Sequence, residues 1–192
     1  ASLDGTPITL GSQLPAVTTQ LAITGNGAPA TIVEASTCDP IALPNACKPA
    51  TWRVFQIGAA GNLALADLTV RHGNVTAGDG GGILNSGTLS LSGVTISANS
   101  AVDSGGGIEN ASTGTIDAIV ASTFSGNQSG NNGGGVDNFS GGTITQITSS
   151  HFSANQAWYG AGLYAGIAGQ VSNSTFVGNT ALYYGGGLYD DR

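Results

Sequence analysis

The side chains able to do chemistry are few and widely spread. Two carboxylates at a controlled separation could hydrolyse a glycosidic bond, and the chain offers Glu109 with Asp137, and the adjacent Asp190 and Asp191. A lyase acting on uronates would need basic groups. The only ones are Lys48, Arg53, Arg71 and Arg192, of which Arg53 and Arg71 alone could fall on adjacent coils of a repeat. His72 and His151 have no Cys or His nearby to complete a metal site. Asp79 and Asp103 could face calcium, but the nonapeptide calcium repeat is missing. The run Gly25-Asn26-Gly27-Ala28-Pro29-Ala30 mimics a dinucleotide fingerprint, yet Pro29 and the lack of a following helix pattern argue against it. No catalytic residue, metal ligand or cofactor is assigned, and an enzyme is the less favoured reading.

The elements that would position these groups are set by a repeat. A glycine-rich triplet followed by an aliphatic recurs as Gly80-Gly81-Gly82-Ile83, Gly105-Gly106-Gly107-Ile108, Gly133-Gly134-Gly135-Val136, Gly160-Ala161-Gly162-Leu163 and Gly185-Gly186-Gly187-Leu188. The interval between successive aliphatics is nearly constant. A second motif keeps the same beat: Ile96-Ser97-Ala98-Asn99, Phe124-Ser125-Gly126-Asn127, Phe152-Ser153-Ala154-Asn155 and Phe176-Val177-Gly178-Asn179. Between them, Leu63 and Leu65, or Leu89 and Leu91, alternate with small or polar residues, the period-two pattern of a strand with one buried face. Such a unit, holding about three short strands, cannot bury its apolar face alone and must stack on its neighbours. The expected fold is all-β: a right-handed parallel β-helix (β-solenoid) of about seven coils, roughly 25–28 residues each. It forms one domain over residues 1–192. Residues 62–192 carry the regular repeats. Residues 1–61 form degenerate coils, in which Leu21-Ala22-Ile23 resembles Leu68-Thr69-Val70 and the Cys38–Cys47 stretch is a lateral insertion.

Stacking gives the repeated residues structural roles. Asn74, Asn99, Asn127, Asn155 and Asn179 are expected to form an inward ladder, each amide serving a neighbouring coil. Asn85, Asn110 and Asn138 form a shorter second column. Val70, Ile96, Phe124, Phe152 and Phe176 stack as a core column, and Thr69, Thr95, Thr123, His151 and Thr175 point outward. An ice-binding surface would use such a threonine file, but this one is a single file wide and broken by His151. In the same scheme Glu109 and Asp137 occupy equivalent positions on successive coils, where solvated turn residues are the plainer reading.

Composition narrows the partners. The 192 residues include 32 Gly and no Met, with 40% hydrophobic and 8% charged residues and a net charge of −7. Too few basic side chains exist to displace counterions from a nucleic acid, and an anionic membrane is disfavoured for the same reason. There is no apolar run of transmembrane length and no signal peptide, so direct membrane insertion is not expected. Cys38 and Cys47 read as a disulfide closing a short Pro-containing loop, since no further Cys or neighbouring His would complete a metal site. A disulfide fits an oxidising compartment, and the expected location is extracellular or at the cell surface.

The alternation of Gly-Gly-Gly-aliphatic with Phe-x-x-Asn resembles the GGA(I/L/V) and FxxN repeats of polymorphic outer-membrane-type bacterial surface proteins. Phe-x-x-Asn matches literally at 124–127, 152–155 and 176–179, whereas the glycine motif departs from Gly-Gly-Ala. The resemblance implies a right-handed parallel β-helix passenger domain, often an adhesin or part of a larger exported protein, and implies architecture more strongly than activity.

One asymmetry remains. All five tyrosines (Tyr159, Tyr164, Tyr183, Tyr184 and Tyr189) fall near the C-terminal end, with Trp158 beside them. In register, Trp158 lies over Tyr183, Tyr159 over Tyr184 and Tyr164 over Tyr189, where earlier coils hold polar or acidic residues. Exposed aromatic platforms suit a sugar face or a partner protein; a hydrophobic edge covered by other residues is the competing reading. The expected role is a non-catalytic extracellular adhesin or structural, self-assembling repeat, associating through open coil ends and contacting a glycan or surface protein. The alternative is a polysaccharide-binding or polysaccharide-degrading β-helix protein.

Overall fold

The computed structural model describes residues 5–138, 141–166 and 168–191; Arg192 lies outside them. Among these residues four parallel sheets run side by side along a stack of about seven coils, a parallel β-solenoid. Sheet A stacks Ile8–Thr9, Ile32–Glu34, Thr69–Arg71, Thr95–Ser97, Thr123–Ser125, His151–Ser153 and Thr175–Val177. Sheet B stacks Phe55–Ile57, Ile83–Asn85, Ile108–Asn110, Val136–Asn138, Leu163–Ala165 and Leu188–Asp190. Sheet C begins at Gln20–Thr24 and continues through Asn62–Ala66, Thr88–Ser92, Thr115–Val120, Thr143–Thr148 and Ala168–Ser172. The fourth sheet, D, is the piece that spacing alone does not reveal. Its strands, Asn74–Val75, Ser100–Ala101, Gln128–Ser129, Gln156–Tyr159 and Thr180–Tyr184, are very short in the earlier coils, and the last four begin just after Asn99, Asn127, Asn155 and Asn179.

Like side chains meet along the axis because each strand pairs in register with its counterpart one coil away. Ile96 pairs with Val70 on one side and Phe124 on the other. The rings of Phe124, Phe152 and Phe176 stack at 4.6 and 4.7 Å, within 10° of parallel. Phe124 and Phe152 are fully buried, as are Leu63, Leu89, Ile116 and Ile144 on sheet C. Burying each such side chain contributes about 1.5–3 kcal/mol, so the core is one continuous rod of aliphatic and aromatic columns.

Two glycine roles explain the triplets. Gly105 opens its triplet at φ +65°, where an L side chain would be strained. Gly107 closes it, and a Cβ there would stand 2.4 Å from the Gly135 carbonyl oxygen of the next coil. One position supplies the turn and the other the close approach of coil to coil.

At the N-terminal end the register differs from the sequence expectation. Leu21 pairs with Leu63 in sheet C, not with Leu68. The segment beneath Thr69–Arg71 is Ile32–Glu34. The path from Val33 to its partner Val70 is longer than the path from Val70 to its partner Ile96. The excess matches the lateral excursion that the Cys38–Cys47 disulfide closes. This coil has no glycine triplet to reveal its phase.

Candidate functional site

The Asn file forms through Asn99, Asn127, Asn155 and Asn179. Asn99 Nδ2 donates to Asn127 Oδ1 at 3.0 Å, Asn127 Nδ2 to Asn155 Oδ1 at 3.0 Å, and Asn155 Nδ2 to Asn179 Oδ1 at 2.8 Å. The Oδ1 atoms of Asn127, Asn155 and Asn179 also accept the backbone N–H of the Asn one coil earlier. Asn74 is not a member. It pairs with Ser100, one residue beyond the file, and its amide donates to Ala50 O. Gly73 takes the position instead, its N–H donating to Asn99 Oδ1 at 2.8 Å. The second column is continuous from Asn85 through Asn110 to Asn138. Thr69, expected to face solvent, is buried, and its hydroxyl donates to Ala28 O at 2.7 Å.

Sheet B carries the groups of chemical interest. Ile108 and Asn110 point into the core, so Glu109 between them points out. The outward file runs Gln56, Leu84, Glu109, Asp137, Tyr164 and Tyr189 from coil to coil. Outward does not mean exposed here: Glu109 is 4% and Asp137 0% exposed. The glycine turns explain the difference, because the chain entering each strand folds back over this file. A Cβ on Gly105 would lie 2.6 Å from Glu109 N, and one on Gly133 2.4 Å from Asp137 N. The expectation of solvated turn residues is corrected on this ground.

Two acids packed together in a dry groove cannot both ionise readily. Burial first, and then the neighbouring Asp137 carboxyl, push Glu109 up to about 10. Burial also lifts Asp137 to about 6, offset in part by the nearby Glu109 and Ser104 side chains. Glu109 Oε2 and both Asp137 oxygens are buried without a hydrogen-bond partner among the described residues, so ionising Glu109 would leave an unpaired charge in the groove, and it keeps its proton at neutral pH. A general acid must reach its substrate. These two meet each other.

One coil further, the same file becomes aromatic. Tyr164 and Tyr189 lie in register, as do Asn132, Tyr159 and Tyr184 on the neighbouring ridge. Tyr159 is central, with ring centroids 5.3 Å from Tyr183, 6.0 Å from Tyr184 and 6.0 Å from Tyr189. Tyr164 lies 5.5 Å from Tyr189, and Trp158 meets Tyr183 edge-on at 6.0 Å. Tyr159, Tyr164, Tyr184 and Tyr189 line a cavity of about 360 Å³ with Asn132 and Asp191. The Tyr164 hydroxyl donates to Asp191 Oδ2, and desolvation together with that carboxylate raises its pKa, keeping the proton in place. Trp158, Tyr183 and Tyr184 remain 47%, 56% and 63% exposed. The sequence flags all six aromatics. It does not flag Asp191 as a lining residue, because the file holding Tyr164 and Tyr189 ends before it.

Of the remaining candidates, Arg53 donates to Gln56, Asp79 O and Gly80 O. Arg71 pairs with the buried Glu34, Nη2 to Oε2 2.7 Å, and Thr9 donates to the same carboxylate. These contacts fasten the N-terminal coils, and nothing in the repeat pattern announces Glu34. Among the described residues no three His, Cys, Asp or Glu side chains converge on a metal position, and no helix is long and apolar enough to cross a membrane.

The model of the Chlamydia polymorphic membrane protein repeat matches residues 173–191, most of the last coil. This match and the parallel solenoid fit a passenger domain like those of polymorphic membrane proteins. The match and the fold are consistent with a surface repeat protein. No curated protein and no solved structure matches the chain.

Proposed function

We propose that this chain is a non-catalytic, extracellular surface solenoid that acts as an adhesin. The coil stack is the rigid scaffold and the tyrosine face of its last two coils is the contact surface for a glycan or surface protein. The observation that carries this reading is the change along one ladder from the buried acids Glu109 and Asp137 to the cavity-lining Tyr164 and Tyr189. Stacking alone needs no such change, and exposed clustered aromatics mark contact surfaces. The disulfide supports an oxidising compartment, and the polymorphic membrane protein repeat match supports the cell surface. Glycan-array binding tests the reading. Trp158→Ala and Tyr184→Ala are expected to lose the signal, and an unchanged signal removes the patch from the account.

End-to-end association is a variant of the same reading. Open strand edges invite addition. Electron microscopy at high concentration would display filaments; monomers throughout would count against them.

A further inference from the structure

We infer that the tyrosine cavity takes an organic cation, an alkylated ammonium group held on the ring faces with its charge towards Asp191. The inference rests on reading the aromatic face as a ligand-contact surface, and it names the chemistry of the group contacted.

Ring geometry is the first support. Four tyrosine rings line one cavity, neighbouring centroids lying 5.5–6.1 Å apart. A cation is attracted to a ring face within about 6 Å of its centroid, most strongly where water is partly excluded. At about 360 Å³ the cavity is within the usual range for small ligands.

Charge is the second. Among the described residues Asp191 is the one charged lining group, and the lining holds no basic side chain. Directly behind Tyr164 in strand register sits Asp137. Asp79 adds its charge to the same groove. The field at the cavity is therefore negative, in a chain of net charge −7. An anionic ligand would meet the like charge of Asp191 in the lining and of Asp137 behind it.

Third, the described cations of the chain are engaged elsewhere. Arg53 lies at the Gln56 end of the same file, Arg71 is paired with Glu34, and Lys48 lines a separate depression with Trp52. No described side chain puts a positive charge on these rings. The free ammonium compound and the same group on a lipid headgroup share this chemistry.

The test titrates the full chain with choline and with the uncharged alcohol in which a tert-butyl group replaces trimethylammonium. Choline is expected to bind about tenfold or more tightly than the alcohol. Asp191→Asn is expected to weaken choline about five- to tenfold without changing the melting temperature. Equal affinity for choline and the alcohol, or full choline affinity in Asp191→Asn, would overturn the inference. If choline does not bind while Tyr184→Ala still loses its glycan-array signal, the cation is wrong and the contact-surface reading stands. Loss of neither would remove both. Retention on phosphocholine vesicles but not on phosphoglycerol vesicles identifies a lipid headgroup as the source; binding of free choline with retention on neither identifies a soluble or glycan-borne group.

Discussion

Glu109 and Asp137 occupy paired positions on neighbouring strands of sheet B, both buried, and burial holds Glu109 protonated at neutral pH. Both acids bind protons more tightly folded than unfolded, since their values rise from 4.5 to about 10 and from 3.8 to about 6. Their stabilising contribution is complete below about pH 4. It is lost as pH rises, through about 6 for Asp137 and about 10 for Glu109. The native protein should therefore melt higher at pH 5 than at pH 8. Glu109→Gln should remove part of that slope and stabilise the protein at pH 8 by roughly 1–3 kcal/mol. Thermal denaturation followed by circular dichroism decides, and parallel pH profiles for both proteins would refute the buried, protonated state of Glu109.

The asparagine ladder predicts a graded set of losses. Asn127 accepts from Asn99 and donates to both Asn155 and Ile96 O. Asn127→Ala strands a buried backbone N–H and should cost about 3–5 kcal/mol. Asn74→Ala breaks the hydrogen bond to Ala50 O and should cost about 1 kcal/mol. Urea unfolding that ranks the two the other way would contradict the assignment of Gly73 to the ladder position.

The glycines are separable by experiment. Gly107→Ala sets a Cβ against the Gly135 carbonyl and should destabilise by about 3 kcal/mol or more. Gly126 also has positive φ, but open space surrounds its missing Cβ, and Ala98 and Ala154 adopt the same conformation at the equivalent position. Gly126→Ala should stay within about 1 kcal/mol of the parent. Melting temperatures of the two variants provide the comparison.

The disulfide should act locally. It closes a loop with a sequence separation of 9, for which constraint of the unfolded chain is worth about 2–3 kcal/mol. Replacing Cys38 and Cys47 by Ser should lower stability by that amount and leave the far-ultraviolet spectrum unchanged. Loss of the β signal would mean that the excursion organises the coils.

How much of this was legible in sequence follows from where side chains are constrained. The Phe-x-x-Asn register is readable because Phe124, Phe152 and Phe176 must stack on themselves, and a one-residue slip would turn each outward. The tyrosine pairs are readable for the same reason. Asn74 is misleading because a backbone N–H at Gly73 can satisfy Asn99 as well as an amide can. The burial of Glu109 is not readable at all. Alternation assigns it to the outside, and only the path of the Gly105 turn covers it. In the first coils, no glycine triplet fixes the phase, so Leu21 aligns with Leu63 where sequence similarity suggests Leu68.

Spin-label distances along one outward file of sheet C test the coil stack most directly. Thr24, Ala66, Ser92, Val120, Thr148 and Ser172 pair in succession across the sheet. With Ser172→Cys as the fixed site and Thr24→Cys, Ala66→Cys or Ser92→Cys as its partner, stacked coils predict distances that shorten by about 4.8 Å at each step. Distances that fail to decrease evenly, or that follow separation in the chain, would contradict the solenoid and the tyrosine face built upon it.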